Sequence, residues 1–315
     1  MTLSTQPGLP IPHSDESRRI LPEGPEWPQA LNELGPHVPP EWIHALGRPI
    51  PDPCGSIAIV GTRRPTAAGF QAARQMARAC AEAGFAVVSG MAVGIDAAAH
   101  EATLRAGGHT VAVLGCGLDV DYPARNRRLK AKIVRHGTLV SEYPHWEQPY
   151  PAHFPERNRI VVGLARAVLV VEGGLKSGAL ITARLALDAD RAIFAIPGSL
   201  RNAMADGPNE LIRTGQAALV TDPRHIFDEL APGLVWRGPV NRLDPKAPAL
   251  ETEEIEVLGL MDDVPISLDR IAESVGLPLG RTSLALSRLE VRGLIVRRRM
   301  GYEITDAGGR VRSTY

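Results

Sequence analysis

Two segments of the chain combine glycine, hydroxyl and cationic residues in the way that phosphate-binding loops do, and two further segments are rich in cations. The first is Gly61-Thr62-Arg63-Arg64-Pro65-Thr66, which directly follows an apolar run. Gly61 allows a close approach of the backbone, the helix expected next supplies free N–H groups, and Arg63 adds a fixed positive charge. Because Arg63 stands where a dinucleotide fingerprint has its second glycine, NAD or FAD is not expected here. The segment predicts a phosphate site.

The second segment, residues 170–180, has the pattern of a strand, a glycine-rich loop and the start of a helix. Lys176 and Ser177 lie in that loop. An ammonium group and the free N–H groups of such a loop can hold a phosphate together. Leu175 precedes the lysine where a Walker A motif requires glycine, and no paired acidic Mg²⁺ loop is evident, so the sequence disfavours ATP hydrolysis.

The other two segments are basic. Residues 125–132 hold five Lys or Arg residues within eight positions, which indicates either a solvated helix face or contact with an anion. Arg157 and Arg159 lie immediately before an apolar helix, where the helix dipole opposes a cation. We therefore expect these two arginines to bind an anion or to pair with an acid such as Glu142 or Glu172.

None of these segments forms a catalytic constellation. The sequence has no G-x-S-x-G elbow, no H-E-x-x-H pair and no cysteine with a convincing base partner. Asp96, which follows two glycines at 90 and 94, is either a structural cap or a member of a site, and both interpretations stay open. Phosphate-type loops without a nucleophile or a metal cage indicate a protein that holds a phosphate chain, with no cofactor or metal.

These loops need a scaffold that brings them together. Six apolar runs, each followed by a helical pattern, cover residues 57–61, 85–90, 109–115, 137–142, 167–174 and 191–198. Such runs are typical of buried parallel strands in a doubly wound α/β sheet, where ligands bind beyond the carboxyl ends of the strands. The pattern predicts an α/β domain over residues 53–230.

The flanking segments have different compositions. Residues 1–52 are rich in proline and acidic groups and predict a flexible start followed by one or two short helices. Residues 231–250 are rich in proline and glycine and predict a linker. Three helical periods and two short strand-like runs over residues 251–306 predict a winged helix, followed by a tail at 307–315.

Composition narrows the class of protein. The 35 basic and 35 acidic residues cancel, yet residues 53–230 carry a net charge of +4. Three widely spaced cysteines exclude a disulfide framework and a zinc cluster, so a reducing cytoplasm is expected. The chain shows no secretion signal and no membrane span. Aromatic residues make up 4% of the chain, which disfavours an aromatic-lined oligonucleotide groove.

The order of these motifs resembles the DprA/Smf family of DNA-processing proteins. The matching stretches span about 160 residues, and the terminal segment 266–305 is similar to the family's winged helix. Residues 26–48 match only the lead-in, so we expect the helical N-terminal domain of many members to be absent or reduced. The stretches are VGTRRPT (60–66), SGMAVGIDAAAH (89–100), GCGLDVDYPARN (115–126), SEYPHWEQP (141–149), FPERNRIVVGLA (154–165), VVEGGLKSGALITA (170–183), IFAIPGS (193–199) and GPNELIRTGQA (207–217).

The resemblance implies an extended Rossmann-like domain with a mostly parallel sheet. It also implies a homodimer that binds single-stranded DNA and loads the RecA recombinase onto it during natural transformation, without enzymatic activity. The DNA-binding residues implied by the family motifs are Gly61, Thr62, Arg63, Thr66, Arg125, Asn126, Arg127, Phe154, Arg157, Asn158, Arg159, Lys176, Ser177 and Gly178. The late motif implies dimer contacts at Leu211 and Ile212, although core packing alone would also explain both residues. Phe154 either touches a base or is a buried core ring.

The chain departs from the family pattern at two places. Ala124 follows the Tyr-Pro of the third motif where members often have lysine, and Pro151 and Ala152 replace a lysine before the Phe-Pro motif. Arg125, Arg127 or His153 are the candidates to compensate.

Two other functions remain open from the sequence. One is a phosphoribohydrolase-type enzyme of a related Rossmann-like fold, with Glu172 or Glu142 as acid or base. The other is a transcriptional regulator whose winged helix binds duplex DNA. The winged-helix segment has a net charge of −4 with an acidic first helix, which also fits a protein partner.

Overall fold

The computed structural model describes residues 16–234, 236, 250–261, 265–298, 301–305 and 308. The chain divides into two compact units, Met1–Trp236 and Arg237–Tyr315. The boundary between them falls inside the segment 231–250 that the sequence predicted as a linker. Most of that segment, most of the tail at 307–315, and Arg299 lie outside the described residues.

Nine described strands of the first unit form one sheet with the order β1-β2-β6-β5-β4-β3-β7-β8-β9. Strands β3 to β9 run parallel to one another, and β1 and β2 are antiparallel additions at the edge formed by β6. Their bounds are β1 Arg18–Ile20, β2 Ile43–Gly47, β3 Ser56–Val60, β4 Ala86–Ser89, β5 Thr110–Val113, β6 Thr138–Ser141, β7 Ala167–Val170, β8 Ala192–Ala195 and β9 Ala218–Leu219. All six predicted strands are confirmed.

Helices cover both faces of this sheet. They are α1 Ala67–Glu82, α2 Ile95–Arg105, α3 Arg127–His136, α4 His153–Gly163, α5 Gly178–Asp188, α6 Asp206–Arg213 and α7 Pro223–Leu230. Because side chains alternate along a strand, β3 gives Ala58 and Val60 to the core under α4 and α5, and Ile57 and Ile59 to the core under α1, α2 and α7. Both faces are therefore apolar, which explains the unbroken hydrophobic runs of the sequence.

The lead-in differs from its prediction. The sequence predicted only short helices over residues 1–52, but this segment also contains the strands β1 and β2. One turn of 3-10 helix is present at Gln29–Asn32. β2 pairs with β6, which lies about ninety residues further along the chain. The lead-in side chains Trp27 and Leu31 are buried in the core of the sheet. Local periodicity missed these strands because their hydrogen-bond partners and apolar neighbours are distant in sequence.

The second unit has the predicted winged-helix elements. They are α8 Thr252–Leu260, α9 Leu268–Val275, α10 Leu279–Val291, β10 Ile295–Arg298 and β11 Gly301–Ile304. Ile271 and Ala272 are buried, as the helical period predicts. The acidic first helix has an internal role, because Glu253 pairs with Arg281 and the helix-capping Glu251 pairs with Arg288, both arginines lying on α10.

None of the helices in the described ranges is long and apolar enough to cross a membrane. Within the same ranges, no group of three or more His, Cys, Asp or Glu side chains is arranged to hold a metal ion.

Candidate functional site

A cleft of about 510 Å³ opens beyond the carboxyl ends of β3, β4 and β7. The chain proceeds from β3 outward to β6 on one side and returns to the other side of β3 with β7, so the cleft lies at the switch point where α/β sheets bind ligands. Its walls come from the loops at 60–63 and 90–96, from Tyr122, from the start of α4 and from the start of α5. The structure thus brings together three of the four segments that the sequence singled out.

Arg63 lies at the rim of this cleft. Its side chain is exposed, and within the described residues it pairs with no carboxylate. The guanidinium carbon lies 5.4 Å from the centre of the Phe154 ring, which is within cation–π distance. A cation held over a ring in this way stays available to an anion from solvent.

Two glycines let the Arg63 loop pack tightly against α2. A Cβ atom on Gly61 would lie 2.5 Å from the Ile95 side chain. Gly94 has a φ of +94° and a Cβ there would lie 2.4 Å from the carbonyl oxygen of Thr62. The loop can take this position only with glycine at both sites. The sequence predicted that Gly61 gives a phosphate close access to the backbone, and the structure shows that this glycine also allows close packing against α2.

Phe154 and Tyr122 form an aromatic pair at the mouth of the cleft. Their ring centres are 5.4 Å apart, Tyr122 is exposed, and Phe154 is half-buried. Phe154 is therefore a wall of the cleft with an accessible edge and not a fully buried core ring. Tyr122 was missed as a site residue, because nothing in its local sequence shows that it meets a ring thirty-two positions later.

Arg157 forms the floor of the cleft and is buried, unlike Arg63. It donates to the carbonyl oxygens of Gly90, at 2.5 Å, and Val113. Burial lowers the pKa of this guanidinium, while the nearby Asp96 carboxylate raises it. Gly90 is required beneath it, since a Cβ there would lie 2.6 Å from the guanidinium. Arg157 touches the cleft but spends much of its hydrogen-bonding capacity on the protein.

Asp96 and His100 extend this buried polar floor. The Asp96 carboxylate accepts hydrogen bonds from the backbone N–H groups of Gly90 and Ala92, at 3.1 and 3.3 Å. Burial raises the pKa of Asp96, and the charge of Arg157 opposes that shift. Burial, together with Arg157, lowers the pKa of His100 to about 3. Asp96 lies in the first turn of α2, whose N-cap is Gly94, so it does not cap that helix. It fixes the 90–92 turn and borders the cleft beside the Arg157 charge.

Arg159 points away from the cleft floor and pairs with an acid. It makes a two-pronged ion pair with Glu142, with N···O distances of 2.7 and 2.6 Å, and donates to the carbonyl oxygens of Val38 and Glu156. Of the predicted alternatives, anion binding or acid pairing, the structure shows acid pairing. Asn158, between the two arginines, lines the cleft and accepts from Arg157 Nε.

Thr66 is likewise committed to the protein. Its N–H and hydroxyl donate to Glu172 at 2.9 and 2.6 Å, while its hydroxyl oxygen accepts from the Gly69 N–H as the cap of α1. Asn202 donates to the same carboxylate at 3.0 Å. Glu172 is buried and accepts three hydrogen bonds, so it ties the first loop to the glycine-rich loop. A carboxylate held in this way is poorly placed to act as an acid or base.

The start of α5 supplies unused polar groups to the cleft. Ser177 and Gly178 line it, and the Ser177 side chain makes no capping bond to the helix. The Ser177 hydroxyl is buried and has no hydrogen-bond partner in the described part of the chain. Lys176 is exposed in the preceding loop. A phosphate near this helix start would meet the free first-turn N–H groups and this hydroxyl.

The basic run at 125–132 divides into exposed and committed residues. Asn126 is buried and donates to the carbonyl oxygen of Met91 at 2.9 Å. Arg127 pairs with Asp121 at 2.9 Å, and the buried Lys130 donates to Val120 and the same aspartate. Arg125 is exposed next to the loop that carries Tyr122. The run is thus partly a structural brace for the Tyr122 loop.

The two predicted dimer contacts lie in different environments. Leu211 is only 2% exposed and packs in the core beneath α5, so core packing accounts for this residue and its side chain has almost no exposed surface. It belongs to the inward face of the amphipathic helix α6. Ile212, one position later, is half-buried on that short helix.

Comparison with known proteins agrees with this geometry. The family model of DNA recombination-mediator protein A matches residues 18–231, and that of the DprA winged helix domain matches residues 241–299. The chain belongs to the DprA/Smf family. Members of this family are recombination mediators and not enzymes.

Several relatives are similar over most of the chain. Protein Smf of Synechocystis is 35% identical over 90% of this chain and 79% of its own length. Protein Smf of Escherichia coli is 39% identical over 78% of this chain and 67% of its own length.

Two solved structures share the fold. The DNA processing protein A of Streptococcus pneumoniae matches with a TM-score of 0.63 at 37% identity, covering 69% of this chain and 76% of its own. The protein from Helicobacter pylori, described for its single-stranded DNA binding mode, matches with a TM-score of 0.60 at 32% identity, covering 68% and 95%.

Proposed function

We propose that the cleft binds single-stranded DNA by its phosphates, with Arg63 as the principal exposed cation. The observation that carries this proposal is the position of Arg63. It is an exposed guanidinium over the Phe154 ring, opposite a helix start with an unpartnered buried hydroxyl. A phosphate in the cleft would contact the Arg63 cation and the N-terminus of α5, and a base would contact the edge of the Phe154 ring. The relative from Helicobacter pylori, named for single-stranded DNA binding, supports the same choice of ligand.

The remaining predicted DNA contacts fall into two groups in this proposal. Direct contacts come from the exposed or cleft-lining residues, which are Gly61, Thr62, Arg63, Arg125, Phe154, Asn158, Lys176, Ser177 and Gly178. Thr66, Asn126, Arg127 and Arg159 act indirectly, because their polar groups hold the loops that carry the direct contacts. Arg157 does both, since it lines the cleft and braces its floor.

In this proposal the protein delivers the bound strand to the RecA recombinase during natural transformation, in the cytoplasm, as a homodimer. Its family supports this role. The dimer contact is placed at Ile212 and at the sheet edge formed by β9, where Leu219 is 47% exposed. An uncovered edge strand with an exposed leucine favours pairing with another chain. Sedimentation of Ile212→Arg with Leu219→Arg should give half the mass of the parent protein, and an unchanged mass would remove this contact.

Fluorescence anisotropy with labelled oligo-dT and the matching duplex tests the DNA site. Arg63→Ala is expected to weaken single-strand binding by about tenfold to a hundredfold, because one charge-assisted contact is lost. The slope of log affinity against log salt should fall by about 0.7. Arg64→Ala is the matched control, since Arg64 is an exposed neighbour on the same loop that does not border the cleft. Equal affinity of the Arg63→Ala and Arg64→Ala proteins would refute the proposed site.

A further inference from the structure

Two leucines stand out on the surface beside the cleft. Leu200 is 94% exposed and Leu175 is 57% exposed. Each is followed by an exposed cation, Lys176 after Leu175 and Arg201 after Leu200. The loops that carry them follow β7 and β8, which are neighbouring parallel strands, so both loops emerge at the edge of the sheet where the cleft lies. We call the loop that carries Leu175 and Lys176 and the loop that carries Leu200 and Arg201 the leucine loops.

The leucine loops are fastened to each other by the backbone of Gly173. Its N–H donates to the carbonyl oxygen of Met204 at 2.6 Å, and its carbonyl oxygen accepts from Gly207 at 2.9 Å. Asn202 in the second loop donates to Glu172 at the base of the first. The two loops therefore move together as one unit.

The Leu200 loop is also fastened at its start. The Asn209 side chain accepts from the Gly198 N–H at 3.1 Å and donates to the Gly198 carbonyl at 3.0 Å. A loop that is held at both ends cannot easily fold its leucine back into the core. Leu200 thus stays in water at a cost of the order of 1.5 kcal/mol or more relative to burial. Together with Leu175 on the adjoining loop, Leu200 therefore offers apolar surface to a binding partner.

The leucine loops continue the wall of the cleft. Leu175 lies two residues before Ser177, and the next turn of α5 brings Ile181, which is 39% exposed and borders the cleft. Apolar side chains and cations therefore run outward from the phosphate site. The acidic residue of the second loop, Asp206, lies in the first turn of α6, where the helix dipole favours a carboxylate.

We propose that the leucine loops contact the nucleotides of a single strand that leave the cleft on this side. Leu175 and Leu200 lie against or between bases, and Lys176 and Arg201 lie at the phosphates. A single strand alternates apolar base faces with charged phosphates, which matches the alternation of leucine and cation in both loops. This inference rests on the proposed binding of single-stranded DNA. It adds contacts at Leu175, Leu200 and Arg201, of which Leu200 and Arg201 lie outside the family stretches.

Two lengths of oligo-dT separate this region from the cleft. A strand of about 5 nucleotides fills the cleft alone, whereas one of about 20 also crosses the leucine loops. The full-length protein with Leu175→Ala and Leu200→Ala is expected to bind the long strand about fivefold to tenfold more weakly and the short strand unchanged. Leu21→Ala is the matched control, because Leu21 is an exposed leucine after β1 at the opposite edge of the sheet.

A second readout reports the bases directly. With 2-aminopurine placed near the end of the long strand, the parent protein should change the fluorescence by altering base stacking, and the double leucine variant should lose that change. Arg201→Ala should lower the salt slope for the long strand only. Because both leucines are exposed, their removal leaves the packing of the sheet intact, and near-ultraviolet circular dichroism checks this.

The outcomes distinguish this inference from the function on which it rests. If Arg63→Ala weakens both lengths while the leucine variant binds both like the parent, the leucine contact is refuted and the cleft stands. If neither variant weakens either strand, the DNA site itself fails. If the leucine variant changes the sedimenting mass without changing DNA affinity, the leucine loops belong to an interface between copies of the chain, which also overturns the proposal.

Discussion

The floor and the rim of the cleft both carry arginine, yet the two arginines do different things. Arg157 on the floor is buried and donates to backbone carbonyls, whereas Arg63 on the rim is exposed over an aromatic ring. A buried cation that lost its partners would be very costly, so the floor arginine is held firmly by the fold. The rim arginine has little role in the fold and is free to bind. The presence of an arginine in a sequence therefore says less about ligand binding than the solvent exposure of that arginine in the structure.

The largest expected effect tests the floor. Arg157→Ala should lower the free energy of unfolding by about 3–5 kcal/mol, because it leaves Asp96 buried without its nearest cation. Urea unfolding measures this change. Arg63→Ala, the rim counterpart, should stay within about 0.5 kcal/mol of the parent. Equal unfolding midpoints for the two variants would erase the distinction between floor and rim.

A lower pH should reduce the free energy of unfolding through His100, which lies in the buried floor of the cleft. Burial and the nearby Arg157 lower its pKa to about 3 from an ordinary 6.5, so between these values the unfolded chain binds a proton that the folded chain does not. Stability is therefore retained above pH 6.5 and lost as the pH falls, by about 2 kcal/mol at pH 5. Urea unfolding at pH 5 and pH 7 measures it. His100→Gln should reduce this dependence without abolishing it, because burial also lowers the pKa of His109 to about 4. His136→Gln, at an exposed position, should not reduce it, and a flat profile for the parent protein contradicts the assignment.

A smaller effect is expected at the Glu142–Arg159 pair beside the floor. Both side chains are less than one-fifth exposed, so Glu142→Gln removes a charge from a mostly buried two-pronged contact and should cost about 1–3 kcal/mol. Thermal unfolding monitors it. Glu210→Gln breaks the exposed pair with Arg213 and should leave the melting temperature unchanged. A double-mutant cycle with Arg159→Gln that shows no coupling would contradict the pairing.

The smallest expected effect sharpens the account of the rim. Phe154→Leu should weaken oligo-dT binding by about fivefold to tenfold, because an edge for a base is lost, and should leave the salt slope unchanged since no charge is removed. Tyr150→Leu is the control, because Tyr150 is an exposed aromatic outside the cleft lining. Equal losses in both variants would show that the aromatic contact is general and not specific to the rim.

Much of the site could be predicted because its parts are local. The glycine at 61 is recognisable from a strand, a turn and a helix in succession, and the Lys176-Ser177-Gly178 loop from the same pattern. Such segments meet at one edge of a parallel sheet whatever the details of packing. The positions of Gly61, Arg63, Phe154 and Ser177 in one cleft follow from that rule.

Other features depended on partners far away in the chain. The lead-in strands have no pattern of their own and form because β6 offers them hydrogen bonds. Leu211 and Ile212 are adjacent and similar in type, and only the packing of α6 places the first in the core. The same holds for Tyr122, which belongs to the cleft because its loop reaches the Phe154 ring.

The sequence by itself determined six parallel strands of the sheet, the two-unit organisation and the places where loops could bind phosphate, because strand and helix periods and loop glycines are local properties. The tertiary structure decided which cations remain available. Arg159 forms an ion pair with Glu142, and Arg127 forms one with Asp121. Among the described residues Arg63 contacts an aromatic ring and no carboxylate. The physical reason is that ion pairing and burial are set by the few ångströms between side chains from different elements, and spacing along a chain does not encode those distances.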